Sequence, residues 1–250
     1  MSGVTHVRAR GARPWVYGHR GMRGAPENTL PAFERALAAG ADGVELDVRV
    51  CKSGEVVVMH DADLRRMAGL ADRVAELDWT TLSRVDLGGG AHVPLLSQVL
   101  ERVLPLGKRV NVEIKGDVPT LEPVVSGVAR EIAARPEAER AAILVSSFSA
   151  EALMLLRKID AQTAIGFLFD SAREEANAPR VAAANGGAVY GEHPKHSLLD
   201  ASSLARLRAR AQFVSTWTVN DPLRARELAA LGVDAIISDL PDVILAALNA

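Results

Sequence analysis

Short apolar, β-branched runs alternate with alanine- and leucine-rich stretches of helical spacing along the whole chain. The runs at 16–19, 43–50, 56–60, 109–115, 142–148, 164–169, 188–190, 213–219 and 235–238 predict strands. The stretches at 29–39, 96–104, 120–134, 150–158, 172–185, 201–209, 222–231 and 241–248 predict helices. Runs that are apolar on both faces and separated by helices belong to a parallel sheet. Their repetition over this length favours an α/β fold with one closed (β/α)8 TIM-type barrel over an open doubly wound sheet. Nine strand candidates are one too many for eight barrel positions. The Lys52-Ser53-Gly54 link is also too short for a crossover helix. Either one run is irregular or antiparallel, or the run at 188–190 is not a strand.

Local punctuation sharpens some boundaries. Asn28 or Thr29 can cap the first helix, whose Leu30, Phe33 and Leu37 share a face, and Gly40 follows its end. Asp221-Pro222 supplies a cap and a proline at the first helical position. Residues 62–94 hold no strand, and thirty-odd residues seldom form an independent core, so they read as a short inserted segment over the barrel mouth. Residues 1–14 read as a flexible, solvated N-terminal tail and 15–250 as the barrel.

Composition narrows the function classes. The chain has 250 residues, is 48% hydrophobic and carries a formal net charge of -2, enough for a full core and no electrostatic case for nucleic acid. One cysteine, Cys51, excludes an intramolecular disulfide. No run approaches the ~18 apolar residues of a membrane span, and residues 1–14 lack the apolar core of a secretory signal. The expectation is a cytoplasmic protein without stable membrane insertion, a monomer or small homo-oligomer.

The candidate chemistry gathers at predicted strand ends, where barrel enzymes build their sites. His19, Glu45, Asp47, His60, Glu113, Lys115 and Trp217 all fall there. Residues two apart on a strand share a face, so Glu45 and Asp47 point together, as do Glu113 and Lys115. Three carboxylates converging on one mouth make an all-oxygen site for a hard cation, Mg²⁺ or Ca²⁺ rather than zinc. On the residues alone, an ion network with Arg20, Lys115 and Arg49 is an equal alternative. His19 and His60 are the candidate acid and base, since histidine titrates near neutral pH. His193 and His196 match no metal motif and read as loop residues, and Cys51 has no nucleophile signature around it.

The motifs themselves carry a family likeness. Gly18-His19-Arg20-Gly21, Pro26-Glu27-Asn28-Thr29, Glu45-x-Asp47-Val48, His60-Asp61, Val112-Glu113-Ile114-Lys115 and Thr216-Trp217-Thr218-Val219-Asn220 occur in this order. Together they resemble the glycerophosphodiester phosphodiesterase family, from about residue 16 to the C-terminus. The family often has threonine and aspartate where Cys51 and Ser53 stand here, a difference in loop geometry more than in chemistry.

The resemblance implies metal-dependent hydrolysis of small-molecule glycerophosphodiesters to sn-glycerol 3-phosphate and an alcohol. It implies a divalent metal (Mg²⁺ or Ca²⁺, with Mn²⁺ admissible) on Glu45, Asp47 and Glu113, and His19 and His60 working across the phosphorus. Arg20 and Lys115 would hold the phosphate, as a planar fork and a point charge. Glu27, Asn28 and Asp61 would orient these groups, and Trp217 would pack on glycerol carbons or simply in the core. Attack by a glycerol hydroxyl, through a cyclic phosphate, and direct attack by water both remain open. The rival functions are a lysophospholipase D, which would want an apolar groove around 62–94, and a noncatalytic phosphoester-binding barrel.

Overall fold

The structure, a computed structural model, describes His6, Arg8, Ala9 and residues 11–250. Eight parallel strands close into a barrel: β1 (Trp15–His19), β2 (Gly43–Val50), β4 (Arg109–Ile114), β5 (Ile143–Ser147), β6 (Ala164–Phe169), β7 (Tyr190–Pro194), β8 (Phe213–Thr216) and β9 (Ala235–Ser238). Closure comes from β1, which pairs with β9 on one side and β2 on the other. The ninth strand, β3 (Val56–Val58), runs antiparallel to β2 and stands outside the parallel ring. The short Lys52-Ser53-Gly54 link thus makes a hairpin, with Gly54 at φ 97° in its turn.

The main hydrophobic core lies between the outward faces of the strands and the surrounding helices. Val44, Leu46 and Val48 of β2 are fully buried in it, together with Val124, Val128 and Ile132 of the helix Leu121–Ala133. Inward-facing side chains on the same strand are polar towards its C-terminal end, which leaves Glu45 and Asp47 at the mouth. A second, smaller core underpins the insertion: Leu64, Val74, Leu82, Leu87 and Val93 pack with Val57 and Met59 of the hairpin. The insertion is therefore anchored to β3 and holds three short helical turns, at Arg65–Ala68, Val74–Glu76 and Trp79–Leu82.

Several sequence expectations shift. The strand expected at 188–190 lies at Tyr190–Pro194, so His193 is a buried barrel residue and not a loop residue. The expected helix 172–185 is two helices, Ala172–Glu175 and Ala178–Ala184, broken before Pro179. Thr29 does sit at the cap position of Leu30–Ala38, but its hydroxyl donates backwards to the Pro26 carbonyl (2.6 Å). Asp221 caps as expected, accepting from the Leu223 amide (2.9 Å).

Of the predicted tail, residues 1–5, 7 and 10 lie outside the described residues. Within the remainder Arg13 forms an ion pair with Asp42 (2.6 Å), and the Arg8 amide donates to Asp234 (3.2 Å). Among the described residues, no helix is long and apolar enough to cross a membrane.

Candidate active site

The turn after β1 sets the geometry of the mouth. A Cβ on Gly18 would lie 2.3 Å from the Gly21 carbonyl oxygen, and one on Gly21 would lie 2.6 Å from the Ala32 backbone. These two glycines let the chain fold tightly against the helix Leu30–Ala38. In this turn and just before the helix, Arg20 and Asn28 adopt the left-handed region, at φ 52° and 58°. Such backbone persists in a non-glycine residue where surrounding contacts hold it, and it clusters at functional sites. Here the Asn28 amide N–H donates to the Arg20 carbonyl (2.9 Å), and the Arg20 N–H donates to Glu45 Oε2 (3.1 Å). The Asn28 side chain donates to Asp47 Oδ2 (2.9 Å) and accepts from the Asp47 amide (3.2 Å). Asn28 therefore fixes an acidic side chain and does not cap the helix.

Glu45, Asp47 and Glu113 each turn an oxygen inward, all within 4.8 Å of one another and all buried. Two cations flank them. Lys115 Nζ lies 2.8 Å from Glu113 Oε1 and 3.2 Å from Asp47 Oδ1. Arg20 Nε lies 3.1 Å from Asp47 Oδ2 without hydrogen-bond alignment, and Arg20 Nη1 donates to Glu27 (3.0 Å). Arg49 is not part of this network: it donates to the His60 carbonyl (2.7 Å) and to Asp117 (2.7 Å) instead, fixing the backbone of the second histidine.

The electrostatics reflect three carboxylates against two cations. Burial, and then the neighbouring Asp47, push the Glu45 carboxyl up to about 8. Burial and Asp47 raise Glu113 as well. For Asp47, burial acts upward but Lys115 and Arg20 outweigh it and hold the group below its usual range. A hard divalent cation fits this cluster. The donors are all oxygen, all buried, and converge from two neighbouring strands.

Both predicted histidines reach the mouth, each with Nδ1 on a carboxylate. His19 Nδ1 is 2.7 Å from Asp239 Oδ1, and His60 Nδ1 is 2.7 Å from Asp61 Oδ1. An ionised carboxylate only accepts, so Nδ1 carries the proton and Nε2 is left for the cavity that both rings line. Burial alone would lower His19, but the bond to Asp239 and the charge of Glu45 bring it above its ordinary value. His60 is lowered, chiefly by burial, with Asp47 only partly offsetting this.

Asp239 escaped the sequence reading. Its second oxygen accepts from Asn220 Nδ2 (2.7 Å), and its amide donates to Asn220 Oδ1 (2.9 Å). The available signal was position: Asp239 directly follows β9, as Lys115 follows β4. Asp61 is held by Arg66 of the insertion (2.7 Å), which also grips Glu27 (2.6 Å). No described residue of 62–94 lines the cavity, so the insertion buttresses the rim and does not cover it.

The cavity, about 200 Å³, has a charged side and an apolar side. His19, Arg20, Glu45, His60, Glu113 and Lys115 form the first, and Phe148, Leu168, Trp217 and Ile237 form the second. Trp217 packs edge-on against Phe148 at 5.3 Å, and its indole N–H donates to the His193 carbonyl (2.8 Å).

The sequence matches the model of the Glycerophosphoryl diester phosphodiesterase family over residues 19–243. The chain belongs to that family. A glycerophosphodiester phosphodiesterase of Bacillus altitudinis is 31% identical over 91% of this chain and 95% of its own length. The putative glycerophosphoryl diester phosphodiesterase of Silicibacter pomeroyi superposes with a TM-score of 0.86 at 25% identity, over 99% of this chain and 96% of that one. An Oleispira antarctica phosphodiesterase, solved in complex with its product sn-glycerol-3-phosphate, gives 0.85 at 25% identity over 95% and 98%. As a member of this family the protein is a phosphoric diester hydrolase, which sets aside the noncatalytic barrel.

Proposed function

We propose that the protein hydrolyses glycerophosphodiesters to sn-glycerol 3-phosphate and an alcohol, with His19 and His60 as the acid–base pair. The observation that carries this reading is the shared geometry of the two rings. Each is tethered through Nδ1 at 2.7 Å, and each lines the cavity that Glu45 and Glu113 of the carboxylate cluster also line. In-line displacement at phosphorus needs one group to take a proton from the attacking oxygen and another to give one to the leaving oxygen. Two imidazoles held in the same tautomer, on different strand ends, meet that need.

Glu45, Asp47 and Glu113 would hold a divalent cation, Mg²⁺, Ca²⁺ or Mn²⁺, which supplies charge neutralisation for the phosphoryl oxygens when bound. Arg20 and Lys115 face the same cavity and offset the charge that develops on those oxygens. The apolar side supplies surface for substrate carbons and excludes water. The lipid-bearing alternative wanted an apolar groove around 62–94. Leu70 is the one large apolar side chain exposed there, and the others turn into the small core beneath.

Phosphorus NMR of purified protein with glycerophosphocholine and Mg²⁺ or Ca²⁺ tests the reaction. The expected product is sn-glycerol 3-phosphate, together with choline. Phosphocholine and glycerol, or no turnover with either ion, would overturn this assignment.

A further inference from the structure

We propose that Arg66, a residue of the insertion that does not line the cavity, is a positioning residue for the reaction: it ties Asp61 to Glu27 and so fixes His60 and Arg20 relative to one another. This rests on the hydrolase reading above. Arg66 Nε donates to Asp61 Oδ2 (2.7 Å), Nη2 to Glu27 Oε1 (2.6 Å) and Nη1 to Glu27 Oε2 (3.0 Å). Each carboxylate also meets a side chain that lines the cavity. Asp61 Oδ1 lies 2.7 Å from His60 Nδ1, and Glu27 Oε1 accepts from Arg20 Nη1 (3.0 Å). A continuous chain of contacts, His60–Asp61–Arg66–Glu27–Arg20, therefore joins the hairpin end to the turn after β1.

Stability does not account for this arrangement. The Arg66 side chain is 47% exposed, and ion pairs made by so exposed a group contribute little to folding. The insertion is anchored instead by Leu64, Val74 and Leu82 in the small core. The helical turn Arg65–Ala68 buries none of its own residues, and the adjacent Arg65 is 72% exposed with only Asp63 near it (3.8 Å). Of two neighbouring arginines, Arg66 is the one aimed at the site. A planar guanidinium can hold two carboxylates at once in fixed directions, which an ammonium point charge cannot. Burial would raise Asp61, but the bonds from Arg66 and His60 hold it at about 2. Asp61 is thus a fixed, ionised acceptor for the Nδ1 proton of His60, the tautomer that leaves Nε2 to the cavity.

The test reads the His60 tautomer directly, by nitrogen NMR of the protein labelled with ¹⁵N-histidine in Mg²⁺, beside steady-state turnover of glycerophosphocholine. Arg66→Gln and Arg66→Lys should each mix the two neutral tautomers of His60, while His19, held by Asp239, keeps its proton on Nδ1. Turnover should fall by roughly ten- to a hundredfold in Arg66→Gln, the usual scale for a group that orients a reacting one. Arg66→Lys keeps the charge without the fork and should recover little of that loss. In a protein already carrying Asp61→Asn and Glu27→Gln, Arg66→Gln should cost far less than it does alone, because its partners are gone. If Arg66→Gln fails to fold, Arg66→Lys carries the same comparison. An unchanged His60 tautomer in both variants, full activity in Arg66→Lys, or losses that simply add overturns the proposal. The tautomer is read without substrate, so the two readings can fail separately. Turnover with a tautomer indifferent to Arg66 means that the tie is wrong and the hydrolase reading stands. A tautomer that depends on Arg66 in a protein without turnover means the reverse.

Discussion

The two sides of the barrel mouth differ in chemistry and in how the chain builds them. The charged side comes from β1, β2, β4 and the hairpin end at His60, where each strand delivers one or two ionisable groups held by further ion pairs. The apolar side comes from β5, β6, β8 and β9, and its contacts are aromatic and aliphatic. One side is costly to fold, which the proposed reaction would explain; the other is ordinary packing surface left open to the cavity. Changes on the charged side should therefore appear in turnover, and changes on the apolar side in binding.

The largest expected effect comes from removing either ring. His19→Ala and His60→Ala should each lower kcat by roughly 10²- to 10⁴-fold with little change in KM, measured as steady-state release of product. Next is Asp239→Asn, which keeps the shape but can no longer fix His19 in one tautomer. The expectation is a kcat loss on the order of a hundredfold or more at nearly constant KM. A rise in KM alone would show that Asp239 binds substrate instead of orienting the ring. Across the cavity, Trp217→Ala should do the reverse, raising KM by roughly tenfold and sparing kcat. Comparable kcat losses on both sides would erase the distinction between them.

The smallest effect lies below the mouth, where the barrel interior holds a titratable group that the proposed reaction does not use. His193 is fully buried against Phe213 with neither ring nitrogen bonded, and burial drives its ring down to about 3. Its ordinary value in the unfolded chain is about 6.5. Between those values the unfolded chain binds the proton and the folded one does not, so stability falls as pH drops below about 6.5. The slope from this residue approaches about 1.4 kcal/mol per pH unit, and His193→Leu should flatten it by that amount in denaturant titrations at pH 7, 6 and 5.

What was legible in the sequence follows a different line, that of local against long-range pairing. Glu45 with Asp47, and Glu113 with Lys115, were readable because strand alternation puts residues two apart on one face, and the structure brings all four together. Which of the nine strand candidates stood outside the eight-stranded barrel was open, yet the shortness of the Lys52-Ser53-Gly54 link already pointed to the hairpin it forms. β7 was misplaced because its sequence, Tyr-Gly-Glu-His-Pro, lacks an apolar signature. Its buried Glu192 pairs with Arg210, later in the chain (2.9 Å), and accepts from the Tyr190 hydroxyl (3.2 Å). Asp239 was missed for a related reason. A lone aspartate after a short strand says nothing until the barrel closes and sets β9 beside β1.

The most direct test of the account is calorimetric titration of Mg²⁺, Ca²⁺ and Mn²⁺ into the protein, with Asp47→Asn and Trp217→Ala alongside. One ion per chain is expected for the parent and for Trp217→Ala, and at least a tenfold weaker fit for Asp47→Asn, which loses one of three carboxylate ligands. No binding at millimolar ion, or equal binding by Asp47→Asn, would contradict it. Arg20 and Lys115 would then already complete the acidic cluster as a closed ion network.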